Sequence, residues 1–364
     1  MQATQSLRFS RKDPKQFLKT LNQRVNNYFK EKKVPKTGNW KLYLKTFVMF
    51  SLLIAPYLLI ILLSISLWLK LLLAVVMGVG MAGIGMNVMH DGNHGSFSKH
   101  PWVNKFMGSS IYFLAGNVFN WKIQHNLLHH TYTNIHGHDE DLEAGRVLRF
   151  SRHAEWMPHH KFQHLYFFFL YGLLTINWAI FTDLQQMKRY MKKKLSYANS
   201  KRPSLQWAGL FITKVMYWSI WIIIPMTFIN APWWAVLMGF VVMHYTAGLI
   251  LSIVFQLAHI MEDAEMPIPE SSGTMKNTWA IHQLTTTVNF STKNRFVNWF
   301  TGGLNHQIEH HIFPHISHVH YTKISDIVRK TAREFNLPYN EYKTTRSAIL
   351  SHFRFLKQMG VQPS

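Results

Sequence analysis

The chain has 364 residues, 39 Lys+Arg against 17 Asp+Glu for a formal charge of +22, and no cysteine. The missing thiols exclude disulfides, Cys-ligated iron–sulfur clusters and thiolate catalysis by this chain. The charge admits nucleic acid or anionic lipid as a partner, and its placement selects lipid, because the basic residues crowd the flanks of long apolar runs and hold mean hydropathy at −0.04.

The first 46 residues carry 12 Lys/Arg and two acids, Asp13 and Glu31, with no apolar run resembling a signal peptide. They read as a basic cytoplasmic arm on the membrane surface, or else as a solvated tail. An apolar run from about Phe47 to Leu69 is long enough to cross a bilayer, which takes about 20 residues. Lys70 interrupts it, and a second run from Leu71 to Met89 ends directly at His90. The pair reads as a membrane hairpin, with Gly78, Gly80, Gly83 and Gly85 allowing close helix approach. Runs at about 208–229 and 233–257, separated by Asn230-Ala-Pro232, predict a second hairpin.

Between them, residues 166–182 are marginal in length. The loop that follows, Asp183–Trp207, holds seven Lys/Arg and one acid, which places it in the cytoplasm with the N-terminal arm. A spanning 166–182 segment breaks that assignment, so it reads as an interfacial or partly embedded helix. The expected fold is an all-α integral membrane protein: four transmembrane helices in two hairpins and a cytoplasmic helical cap. The expected boundaries are an arm at 1–46, a membrane domain at 47–325 and a cytoplasmic C-terminal segment at 326–364.

Eight histidines fall in three boxes, His90/His94, His125/His129/His130 and His306/His310/His311. This topology brings all three to one face. Histidine beside a membrane is costly unless it is hydrogen-bonded, turned to water or bound to metal. Positions four apart share a helix face, so His90 and His94 converge, as do His125 and His129. His130 is turned about 100° from His129 and suits a neighbouring ion. The boxes therefore predict a di-metal site. In the third box either His306 or Gln307 accompanies His310 and His311. His259, at the end of the last span, reads as a further ligand, and His244 as a packing residue within that span. Asp91, Asp139, Asp141 and Glu309 are candidate partners of ligand imidazoles, or ordinary solvated acids. His136, His138 and His282 read as supporting or structural groups. His100, His153, His159, His160, His164 and His352 read as surface residues. Imidazole alone does not select among iron, copper and zinc.

At these boxes the chain resembles the membrane fatty acid desaturase family, whose pattern is HxxxH, then HxxHH or HxxxHH, then HxxHH or QxxHH. The flanking stretches His129-His-Thr-Tyr-Thr-Asn134, Gly302-Gly-Leu-Asn305 and His310-His-Ile-Phe-Pro314 fit as well. The likeness covers roughly residues 45–325. It implies His90, His94, His125, His129, His130, His310 and His311 as ligands, with Gln307 at a ligand position and His259 as the extra histidine after the last span. His306 is then the weaker alternative. Gln307 in the third box looks like the front-end subgroup, which adds a double bond between an existing one and the carboxyl end. The likeness implies two iron ions, O2 as co-substrate, and acyl-CoA or acyl lipid as substrate. The His-Pro-Gly-Gly mark of a fused cytochrome b5 is missing, which implies an external ferredoxin, flavodoxin or cytochrome b5-type donor and a bacterial inner-membrane protein with its site facing the cytoplasm. Rival readings are a hydroxylase or sphingolipid desaturase of the same superfamily, and a non-catalytic membrane metal carrier. The carrier reading is weakened because the boxes lie at span ends rather than at the midplane.

Overall fold

The computed structural model describes residues 7–11, 16–195 and 202–362. Parts of the basic arm, residues 1–6 and 12–15, and Lys201 of the basic loop lie outside the described residues. The regular elements of the described chain are helices apart from two short parallel pairings, Arg8–Phe9 with Thr274–Met275 and Asn289–Phe290 with Glu341–Tyr342. It forms two compact units. One takes the described residues up to Thr37, Gln124–Leu165 and those from Phe255 onward; the other takes Gly38–Ile123 and Tyr166–Val254.

Four helices are long and apolar enough to cross a membrane: Trp40–Leu62, Leu67–His94, Pro203–Phe228 and Trp233–His259. The first two break at residues 63–66 and not at Lys70, where the sequence placed the interruption. Ser66 caps the second helix, its hydroxyl accepting from the Leu69 N–H. Lys70 lies inside that helix, and its ammonium donates to the Ile60 and Leu63 carbonyls at the end of the helix before. A lysine that satisfies orphan carbonyls costs the apolar run little. The glycines act as expected. A Cβ on Gly80 meets the Leu52 backbone at 2.8 Å, and one on Gly78 meets the Met243 carbonyl oxygen at 2.5 Å.

The segment read as an interfacial helix is a pair, Pro158–Gly172 and Leu174–Lys192, bent by 59°. Within the second unit, Gly172 lies against Tyr245, while Thr175 donates to the His244 carbonyl. His244 is buried, with Nε2 2.6 Å from the Tyr217 hydroxyl and Nδ1 3.0 Å from Thr175 Oγ1. It is a hydrogen-bonded packing residue, as its place in the span suggests. Further along, Asp183 pairs with Lys214 at 3.0 Å and accepts from Asn120, fixing the chain beside Trp121.

In the first unit, Phe17–Lys32 is an amphipathic helix burying Phe17, Leu21, Val25 and Phe29 at a four-residue spacing. Those side chains share a core with Ile324, Val328 and Ala332 and with Ile308, Ile312 and Phe313 around the third box. This part of the basic arm therefore supports the helix that carries His310 and His311.

Candidate metal centre

The second box lies on a helical stretch whose residues Lys122–His129 form π-helical turns. In such turns position i aligns with i+5, and not only with i+4. His125 consequently meets His130, Nε2 to Nε2 at 3.3 Å, while its ring stacks on His129 with centroids 5.1 Å apart. The expected rotation of His130 away from the 125/129 face is thus partly undone. His130 also forms a group with His310 and His311, all with nitrogens close enough to share one ion. A second group is His129, His259 and His311, and a third is His125, His129 and Asp141.

Four of these rings are held from behind. His125 Nδ1 lies 2.7 Å from Asp141 Oδ2, and His129 Nδ1 lies 2.9 Å and 3.0 Å from the two Asp139 oxygens. His310 Nδ1 meets the Tyr321 hydroxyl at 3.2 Å, and His311 Nδ1 meets Gln283 Oε1 at 2.8 Å. An imidazole anchored at Nδ1 presents Nε2, the arrangement that ligand histidines usually show. His129 Nε2 is fully buried and has no hydrogen-bond partner. Two imidazoles on one tetrahedral ion, each at roughly 2.1 Å, place their nitrogens about 3.4 Å apart, close to the His125–His130 spacing. The donor set fits a metal.

Charge supports that reading. Burial and the neighbouring acids push the Asp141 carboxyl up to about 7, although His129 opposes this. Burial works against charge on His129, yet Asp139 outweighs it and holds the imidazole above its ordinary value. Buried acids crowded beside imidazoles are the electrostatic counterpart of a cation.

His90 and His94 sit in the other unit, at the end of the Leu67–His94 helix just after a π-helical turn at Gly85–Met89. Their rings are 4.6 Å apart, and Trp121 packs edge-on against both, at 5.8 Å and 5.6 Å. Asp91 is buried, its carboxylate 4.0 Å from His90 Nδ1. Gln307 is buried with its amide nitrogen 2.9 Å from His259 Nε2. His306 joins none of the groups among the described residues; it lies 3.8 Å from Glu309, and burial lowers its pKa to about 4. Glu309 is not a solvated acid: Asn289 and Tyr339 donate to it in the interior.

Several supporting residues gave no sequence signal. Gln283 also donates to the His130 carbonyl, as does the Trp279 indole. Asn134, with φ of 58°, donates its backbone N–H to Asp139 and its amide to the carbonyls of His259, Glu265 and Thr286. His282 donates from Nε2 to the Thr133 carbonyl at 2.8 Å and is structural. His136 is exposed and His138 half-buried.

Two histidines read as surface residues are buried instead. His160 is 1% exposed and bonds the Met157 N–H, while His352 is 2% exposed with Nδ1 2.7 Å from the Ile260 carbonyl. Backbone partners remove the cost that made burial look unfavourable. Burial lowers His352 and His282 to about 4. The unfolded chain, with histidines near 6.5, binds more protons than the folded one between those values, so stability falls as pH drops from 6.5 toward 4. Each group contributes up to about 3 kcal/mol of that loss. Melting temperatures of the metal-free protein in detergent should decline over this window, and His352→Gln should flatten the decline. A pH-independent melting temperature contradicts neutral burial of these rings.

Residues 66–343 match the family model described as Fatty acid desaturase. This chain belongs to the fatty acid desaturase family. The desaturase is 36% identical over 350 residues to an sn-1 linoleoyl-lipid 6-desaturase of Arthrospira platensis, covering 95% of this chain and 93% of the relative. It is 34% identical over 365 residues to the sn-1 linoleoyl-lipid 6-desaturase of Synechocystis sp., covering 99% of each. An acyl-lipid (8-3)-desaturase of Physcomitrium patens is 32% identical over 361 residues, 98% of this chain and 74% of the relative. The desaturase is therefore a membrane oxidoreductase of the front-end type, with histidine groups suited to metal.

Proposed function

We propose that this desaturase inserts a cis double bond into an acyl chain carried on a membrane lipid, between an existing double bond and the carboxyl end. The names of the relatives point to a linoleoyl lipid as the substrate. The observation that carries the metal chemistry is the set of four imidazoles anchored at Nδ1, each with its other ring nitrogen among the neighbouring box histidines. Two irons would be held by His90, His94, His125, His129, His130, His259, His310 and His311, with Gln307 at the ninth position. His90 and His94 enter this set on the order of the family's boxes. Iron with O2 supplies the oxidising power that an unactivated methylene requires, which no side chain here provides. Asp139, Asp141, Gln283 and Tyr321 fix the ring orientations, and the apolar helices exclude water from the acyl chain.

Electrons would come from a separate ferredoxin, flavodoxin or cytochrome b5-type donor. Positive-inside placement of the 183–207 loop supports two hairpins with the histidines in a cytoplasmic cap, and a bacterial inner membrane is the setting proposed for them. On the same reading the chain is organised as an arm at 1–46, a membrane domain at 47–325 and a C-terminal segment at 326–364.

The test is expression in a host of defined fatty acid content that supplies a reductase, followed by lipid profiling. The expected product is a polyunsaturated acyl lipid with its new double bond on the carboxyl side of the existing ones. Folded, metal-loaded protein that leaves the lipid profile unchanged sinks the proposal.

A further inference from the structure

A groove opens in the second unit where the Trp40–Leu62 helix, the Pro203–Phe228 helix and the 101–114 segment meet. Its walls include Phe50, Phe106, Tyr112, Phe113, Thr213 and Met216. No charged residue lines it among the described residues. Its Ser and Thr hydroxyls are turned to their own backbone: Ser109 donates to the Phe106 carbonyl, Ser110 to Met107, and Thr213 to Gly209 and Leu210, while the Tyr217 hydroxyl is engaged by His244. The groove thus offers mainly hydrocarbon and aromatic contact. Phe106 is 67% exposed and Met216 57% exposed, so the rim faces the surroundings of two membrane-length helices, which are lipid.

The inner wall leads toward two box histidines. Tyr112 lines the groove and also packs on the buried cluster of Met89, Ile111 and Trp121. Trp121 in turn meets His90 and His94 edge-on. The chain of contacts from the groove to these two histidines thus runs from Tyr112 through the cluster that holds Trp121. A second apolar groove, lined by Tyr57, Lys70, Leu71 and Ala235 among others, does not compete. Lys70 lies 20 positions before His90 on one helix, which at 1.5 Å per residue is about 30 Å away.

We infer that the Phe50–Phe106–Met216 groove is a lateral port, through which the acyl chain of a bilayer lipid passes from the membrane toward His90 and His94, with Trp121 as its inner gatepost. This rests on the acyl-lipid reading given above. A substrate that never leaves the bilayer needs such a side opening, whereas a soluble acyl thioester does not.

The experiment fills the port from two positions, Thr213→Trp and Met216→Trp, and fills the distant groove with Ala235→Trp as a control. Lipid conversion and metal content are measured together in host membranes. Both port fillings should cut conversion about tenfold or more with metal content unchanged, and Ala235→Trp should stay within about twofold. Should Thr213→Trp fail to fold, Met216→Trp decides, because its side chain already faces outward. Wild-type conversion in metal-loaded Met216→Trp overturns the port. Absence of product from the wild-type protein instead overturns the acyl-lipid reading, so the two failures are distinct.

Discussion

His129→Ala is expected to remove both bound metal and desaturated product. The ring is fully buried, anchored at Nδ1 by both oxygens of Asp139, and its Nε2 has no protein partner. It sits within 4.8 Å, nitrogen to nitrogen, of His259 and His311 in one group, and with His125 and Asp141 in another. No other ring belongs to both of those groups, so its loss empties a corner of each. Alanine also strands Asp139 as a buried acid without its imidazole partner, which costs stability as well as metal. Asp139→Asn separates these effects. It keeps a side-chain oxygen toward His129 Nδ1 but removes the charge, and an outer-partner change of this kind typically costs 10- to 100-fold in metal affinity. Metal per protein by elemental analysis and product by lipid profiling should rank wild type above Asp139→Asn and that above His129→Ala. Retained product in His129→Ala removes this residue from the ligand set.

The elements most legible in the sequence were those with one-dimensional causes. Four apolar runs gave four membrane-length helices, because length and hydropathy alone determine which segments can span. Their ends were less legible. The 63–66 break was hidden by Lys70, whose ammonium reaches back to the preceding helix end, so a charge that looked like a turn is a cap. The π-helical turns at Gly85–Met89 and Lys122–His129 left no mark in residue type, yet the second set decides which histidines meet. Each inserts one residue per turn relative to an α-helix, so an i, i+4 argument finds His125 with His129 and misses His125 with His130. The partners Gln283 and Tyr321 were illegible for another reason. They reach His311 and His310 through folding of separate elements, and an amide or phenol carries no metal-ligand signature. Asp139 and Asp141 were legible because a carboxylate just after a histidine box has a known use. The paired boxes themselves were the strongest signal, since three such clusters in one apolar chain have no common structural explanation.

The third box left one choice to the structure, and the two substitutions that test it should diverge. Gln307→Ala is expected to lower metal content and product together, while His306→Phe retains both near the wild-type level. Gln307 opens the helix that carries His310 and His311, and its amide lies 2.9 Å from His259 Nε2. From there it either joins the metal or fixes His259, and removing it disturbs a ring that groups with His129 and His311. The loss should fall in the 10- to 100-fold range of groups that orient ligands. His306 precedes that helix, and its neighbours argue for a neutral, packed ring. It is 1% exposed, lies 3.8 Å from Glu309 and is depressed to about 4 by burial. Phenylalanine preserves its bulk, at an overpacking cost of about 1–3 kcal/mol that shows in melting temperature and not in metal binding. Gln307→Glu adds a discriminating readout. A carboxylate can still ligate a metal but cannot donate to His259, so recovery of metal without recovery of product separates ligation from positioning. If instead His306→Phe loses metal while Gln307→Ala keeps it, the two residues exchange roles and the glutamine no longer marks the site.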